Sequence, residues 1–321
     1  MSLLDLRRGA EKWMQNLVVR MVVAALCLLV HVHFFQRLGE ERFKRPFNNA
    51  PTSAPMFHDK VHEGAASHWD RLLVSRWDAQ HYQGLALRGY ETCKTRETLK
   101  PGQHPDDDPT CELSFYPTYG WLGRAVVKLT GLPIDYALFA LSLACSLVFL
   151  TMLTGPLIVR PLGVWGAYLA MFLFNAFTTG FTLVTVQTEP CLLLLMILSL
   201  WLMDKRYIWA GAVVAGAATA IRITGVAVGF AYCAGLAVLF VKEGPSVRKA
   251  LGTLVKMLVS GWGIIALLLY FAYKFGDPLI YSHAHGRSFN HTPGIARIFF
   301  APSRRPQGSA SSSCRASTWQ R

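Results

Sequence analysis

The feature that most constrains this chain is a 34-residue apolar run, 207–240, with a single charged residue, Arg222, at its centre. A straight membrane helix needs about 20 residues to cross ~30 Å of hydrocarbon. A charge held at mid-bilayer is costly. The run is therefore expected to fold as two helices, 207–221 and 223–241, turning at Arg222 near one membrane face. Five further runs, 17–35, 136–158, 164–182, 190–203 and 250–273, are rich in Leu, Val, Ala and Phe. Together they predict an all-α, polytopic membrane protein of about seven transmembrane helices.

Composition supports this class. The chain is 52% hydrophobic and 16% charged, against about 25% charged for soluble domains, which excludes a disordered protein and disfavours a soluble enzyme. Lys and Arg number 32 against 19 Asp and Glu, a net charge of +13. In a soluble chain that excess would point to nucleic acid; in a membrane chain it marks cytoplasmic ends facing anionic lipid. Membrane lipids are thus expected partners and nucleic acid is not.

Basic loops also set the orientation. Arg7, Arg8 and Lys12 place the N-terminus, 1–16, inside. Alternation then puts Arg160, then Lys205 and Arg206, and then Lys242, Arg248 and Lys249 inside as well. This holds if 113–134, which carries Arg124 and Lys128, lies in the interface rather than crossing. The 17–35 run is longer than a signal-peptide core and lacks a small-residue cleavage site, so it reads as an uncleaved anchor. Residues 36–134 form a long extracytoplasmic first loop with interfacial helices, 135–275 the helix bundle, and 276–321 an extracytoplasmic C-terminal segment. After about residue 300 the chain turns Ser/Arg/Pro-rich and reads as disordered or truncated.

Cys93 and Cys111 lie in the first loop and are candidates for a disulfide in an oxidising compartment. Asn290-His291-Thr292 is a formal glycosylation sequon on the same side. No CxxC or Cys/His spacing points to zinc, and Asp106-Asp107-Asp108, set among Pro, Gly and Gln, reads as a solvated loop. No metal and no cofactor are expected.

Five polar motifs fall on the outer side of this topology: Arg76-Trp77-Asp78-Ala79-Gln80-His81-Tyr82, Phe115-Tyr116-Pro117, Thr188-Glu189-Pro190, Arg222-Ile223-Thr224-Gly225 and Phe275-Gly276-Asp277-Pro278-Leu279. The first would lie in the interface with Trp77 and Tyr82 at headgroup level and Asp78 and His81 beside them. A carboxylate placed there can act as a general base on a lipid-linked substrate; Asp70, in a second Trp-Asp pair, is a rival for that role. Glu189 opens a membrane helix, where a carboxylate also suits the positive end of the helix dipole. Tyr281, His283, His285 and Arg287 form a cluster able to meet phosphate, or serve as interfacial residues.

In that order and over about residues 70–290, these motifs resemble the signatures of the PIG-V-like mannosyltransferases, membrane glycosyltransferases of the GT-C class. The resemblance rests on Trp77-Asp78-Ala79-Gln80-His81-Tyr82 followed by Gly89-Tyr90, on Phe115-Tyr116-Pro117, on Thr188-Glu189, on Arg222 with Gly225, and on Phe275-Gly276-Asp277-Pro278-Leu279. The chain departs from the family pattern just before Glu189, where Thr188 replaces a Tyr or Ser, and it stops before the family's later helices.

The resemblance implies a GT-C-like fold and transfer of a sugar, mannose by the family's habit, from a polyprenyl- or dolichyl-phosphate donor to an acceptor hydroxyl on the lumenal or periplasmic side. Asp78 would be the base and His81 its orienting partner. Glu189 would bind sugar or acceptor hydroxyls. Arg222, His283 and Arg287 would meet the donor phosphate, and Trp77, Tyr82, Tyr116 and Asp277 would complete the site. The acceptor would be lipid- or protein-linked: a glycosylphosphatidylinositol (GPI) precursor in the endoplasmic reticulum, or an envelope glycan or protein in a bacterial inner membrane. A small membrane subunit is a candidate partner. Two other readings stay open: a transporter or flippase of a lipid-linked or small polar substrate, with Arg222 in a broken helix, and a non-catalytic assembly subunit.

Overall fold

The computed structural model describes residues 3–42, 78–95, 97–100, 102–105, 111–177 and 180–288. Asp70, Trp77, the Asp106–Asp108 run, the sequon and the tail after 300 lie outside the described residues. Among those described, every regular element is helical: α1 (Leu3–Met14), α2 (Leu17–Arg42), α3 (Ala79–Leu87), α4 (Thr118–Thr130), α5 (Ile134–Leu153), α6 (Pro156–Ala176), α7 (Glu189–Asp204), α8 (Ile208–Ile221), α9 (Val226–Lys242), α10 (Val247–Val259), α11 (Trp262–Phe275) and α12 (Ile280–Ser288).

Local chemistry sets the breaks. Gly155 leads into Pro156 at the first turn of α6, where proline's missing N–H costs nothing. The turn between α5 and α6 is therefore only 154–155, and Arg160 lies inside α6 rather than in a loop. Pro161 and Gly163, at φ 70°, kink α6 just beyond. Gly131 and Gly276 end α4 and α11 in the left-handed conformation. Ser246 caps α10 by accepting from the Lys249 N–H.

Four helical segments are long and apolar enough to cross a membrane: Leu17–Arg37, Ile134–Leu153, Pro156–Ala176 and Ile223–Lys242. The pair α10 and α11 makes a fifth if its two arms form one span, but they meet at 56°. The expected single helix over 250–273 is thus broken at Ser260-Gly261. The first arm buries none of its residues in the protein, and the second packs Leu267, Phe271 and Phe275 inward. α7 and α8 are apolar but shorter, at 16 and 14 residues.

Small residues let the bundle close. Ala212, Ala215 and Ala218 of α8 are fully buried. A Cβ on Gly216 would collide with the Trp262 indole, and one on Gly263 with the backbone of α8. Helices in lipid gain from such close approach, because no hydrophobic drive holds them together there.

The helix ends sort into two groups. At one end, Arg160 pairs with Asp204 at 2.7 Å and Arg206 with Glu243 at 2.8 Å, joining the start of α6, the end of α7 and the end of α9. At the other end lie the start of α7, the break after α8, the helices α3 and α4, and α12. The larger core cluster sits there: Leu85, Leu113, Tyr119, Leu138, Ile221 and Phe271, among others, pack α3 and α4 onto α5, α8 and α11.

Candidate functional site

The short helix α3 carries Asp78 at its N-terminus, and three contacts fix it. Arg124 of α4 donates from Nε to the Ala86 carbonyl at 2.5 Å and from Nη2 to the Leu87 carbonyl at 3.1 Å, satisfying carbonyls that the helix end leaves open. Gly120 lets α4 lie against α3, since a Cβ there would press on Leu85, Ala86 and the Tyr82 carbonyl. Beyond α3, Cys93 and Cys111 form a disulfide, which brings 111–117 back beside the helix. The buried Tyr90 hydroxyl then donates to the Phe115 carbonyl at 2.6 Å.

A cavity of about 190 Å³ opens where these elements meet the bundle. It is lined by Asp78 and Tyr82 of α3, by Ser114, Phe115 and Tyr116, by Ile221 and Arg222, and by Tyr281 and His285 of α12. Asp78 occupies the capping position of α3, yet its side chain makes no capping hydrogen bond. Its carboxylate is therefore not used up by the helix that carries it. It lies close enough to Arg222 and Tyr281 to act on both electrostatically.

Arg222 is extended (φ −157°, ψ 154°) between α8 and the following turn. Its Nη1 donates to Glu189 Oε1 and, at 3.4 Å, to Thr188 Oγ1. A guanidinium has five N–H donors, so these bonds leave others for a ligand. Both partners of the pair are partly shielded, at 34% and 29% exposure. Glu189 does not line the cavity; it anchors Arg222. Thr188 also lies close enough to the Tyr82 hydroxyl to act on it electrostatically, so the α7 start adjoins both α3 and the break after α8.

The remaining sequence candidates separate. His81 faces the Glu112 carboxylate, Nδ1 to Oε2, at 2.5 Å and stacks on Phe115 with ring centroids 4.2 Å apart. Tyr82 meets Phe115 and Tyr119 edge-on. Tyr116 packs edge-on against Tyr281, 4.5 Å between centroids. Burial raises the phenol pKa of Tyr82, Tyr116 and Tyr281 above its ordinary value, so all three are neutral donors at neutral pH. Asp277 and His283 stand off the cavity and pair with each other at 2.7 Å, with Asp277 also accepting from the Leu279 N–H. Arg287 lies in α12, but its side chain is outside the described residues.

Residues that sequence reasoning did not single out complete the site. Glu112 is buried, only 4% exposed, and Ser114 lines the wall. Of the cluster that the sequence did mark on α12, it is Tyr281 and His285, stacked 5.6 Å apart, that face the cavity. Their i, i+4 spacing is the available signal, because it puts them on one helix face and leaves His283 on another. No group of three or more His, Cys, Asp or Glu able to hold a metal occurs among the described residues. No family model, curated protein or solved structure matches this chain.

Proposed function

We propose that this chain is a membrane glycosyltransferase that moves a sugar, mannose in the first instance, from a polyprenyl- or dolichyl-phosphate donor to an acceptor hydroxyl on the lumenal or periplasmic side. The observation that carries this reading is the pairing, across one small cavity, of an uncapped carboxylate, Asp78, with a tethered cation, Arg222. Transfer with inversion needs one base on the acceptor side and charge stabilisation on the phosphate side. In the proposed step the acceptor oxygen bonds to the anomeric carbon as its proton passes to Asp78. The bond from that carbon to the donor phosphate oxygen breaks, and the phosphate leaves with the electron pair toward Arg222. Tyr82, Tyr116 and Tyr281, all neutral, supply hydroxyls and ring faces for the sugar.

The seven-crossing, GT-C-like arrangement is part of the proposal, with α7 and α8 as short crossings whose outer ends form the site. The disulfide supports placing that end in an oxidising compartment. The basic ends at Arg160, Lys205 and Arg206 support placing the opposite end in the cytoplasm. The test is sugar transfer from polyprenyl-phosphate-mannose by the reconstituted full chain over a panel of acceptors. Transfer is the expected result. A folded wild type that turns over no lipid-phosphate sugar overturns the reading. One observation favours a second reading: a charged break between two apolar helices is also how transporters build a substrate site. Uptake of labelled solute into vesicles without chemistry would support it.

A further inference from the structure

At the opposite end of the bundle lies a second and larger cavity, about 470 Å³, between the start of α2, the α5–α6 corner and the end of α7. Its volume falls within the range that holds small organic ligands. The walls are apolar, including Leu157, Leu198 and Trp201, and two cations, Arg20 and Lys205, stand at its edge. Arg20 is fixed in place: its Nη2 donates to the Thr151 carbonyl at 2.5 Å and its Nε to Thr154 Oγ1 at 3.4 Å. Gly155 makes the room, since a Cβ there would sit 2.8 Å from Arg20 Nη2. The nearest acid in sequence, Asp204, is held by Arg160. Lys205 forms no ion pair among the described residues. The cavity therefore joins a greasy wall to an uncompensated positive rim.

We propose that this pocket binds one molecule of anionic phospholipid, its phosphate against Arg20 and Lys205 and the upper part of an acyl chain against Leu157, Leu198 and Trp201. The chemistry is that of the basic pockets between membrane helices that hold charged lipid headgroups. The pocket shares no residue with the Asp78 cavity, and the proposal stands or falls apart from the glycosyltransferase reading.

The full chain is reconstituted in phosphatidylcholine vesicles containing, at equal mole fraction, either dibrominated phosphatidylglycerol or dibrominated phosphatidylcholine. Bromine quenches indole at short range. The chain has 9 Trp, so the Trp201 signal is taken as the difference between wild type and Trp201→Phe. Two cations of ordinary strength at a membrane surface predict roughly a 30-fold preference for the anionic lipid at Trp201. The exposed Lys205→Gln change should lower it to about fivefold, and Arg20→Gln with Lys205→Gln should abolish it. Equal quenching of wild-type Trp201 by the two lipids overturns the proposal, as does a preference that survives in the folded double variant. The wild-type comparison decides the matter even if Arg20→Gln fails to fold.

Discussion

Glu189 opens the apolar helix α7, a position that suits a substrate contact, the helix dipole or a bond to Arg222. The geometry makes its bond to Arg222 the dominant role, and a double-mutant cycle tests this. Hydrogen bonds between charged groups contribute about 1.5–3 kcal/mol. Both side chains are about a third exposed, so solvent screening places this pair near the lower end, about 1.5 kcal/mol. The Glu189→Gln, Arg222→Gln and double variants would be unfolded in mixed detergent micelles and followed by helical circular dichroism. A coupling of about 1.5 kcal/mol makes the double variant milder than the sum of the single effects by roughly tenfold in the unfolding constant. Arg222→Gln alone should cost more than the double change, since it leaves the Glu189 carboxylate partly buried beside Thr188 without its cation. Additivity within about 0.3 kcal/mol would refute the tether. Glu189 would then have to be explained by the helix dipole or by substrate.

The disulfide closes a loop with a sequence separation of 18, which corresponds to about 3 kcal/mol of loop-closure entropy. Cys93→Ser with Cys111→Ser should destabilise the α3 region by that order, and non-reducing peptide mapping should find the two cysteines linked in the wild type. Glu112→Ala removes the partner of His81 from a buried position and should cost about 2 kcal/mol, read as a lowered unfolding midpoint, while Glu112→Gln should cost less. Burial raises the Tyr82 and Tyr116 phenols above 10.0, so above pH 10 the folded protein holds protons that the unfolded chain releases. Their contribution to stability is complete below pH 10 and is lost as pH climbs through the raised values. Phenolate absorbance should show two fewer tyrosines titrating near pH 10 in the Tyr82→Phe, Tyr116→Phe protein only after unfolding.

The break at Arg222 is legible in the sequence because a lone cation inside 34 apolar residues leaves a helix few other solutions. The break at Ser260-Gly261 is not, because Ser and Gly are tolerated within apolar helices and the 56° bend comes from packing Trp262 and Gly263 against Gly216 of α8. Asp78, Tyr82, Tyr116 and Arg222 carry local motifs, and they stand on one cavity. Glu112 carries no motif of its own. Its role follows from the disulfide, which folds Cys111 back beside α3, and a pairing between distant segments leaves no periodic trace in the chain. The α12 residues divide by helix face, which spacing encodes only once 280–288 is known to be helical.

In the proposed mechanism Asp78 takes a proton from an acceptor hydroxyl while Arg222 meets the departing phosphate. The direct measurement is sugar transfer from polyprenyl-phosphate-mannose by reconstituted wild type beside Asp78→Asn, a change that keeps side-chain shape and removes the base. General-base catalysis contributes about 10²–10⁴-fold. Transfer should therefore fall by at least about 100-fold, with donor binding and the unfolding midpoint retained. A folded Asp78→Asn protein that transfers sugar at the wild-type rate would show that Asp78 is not the base.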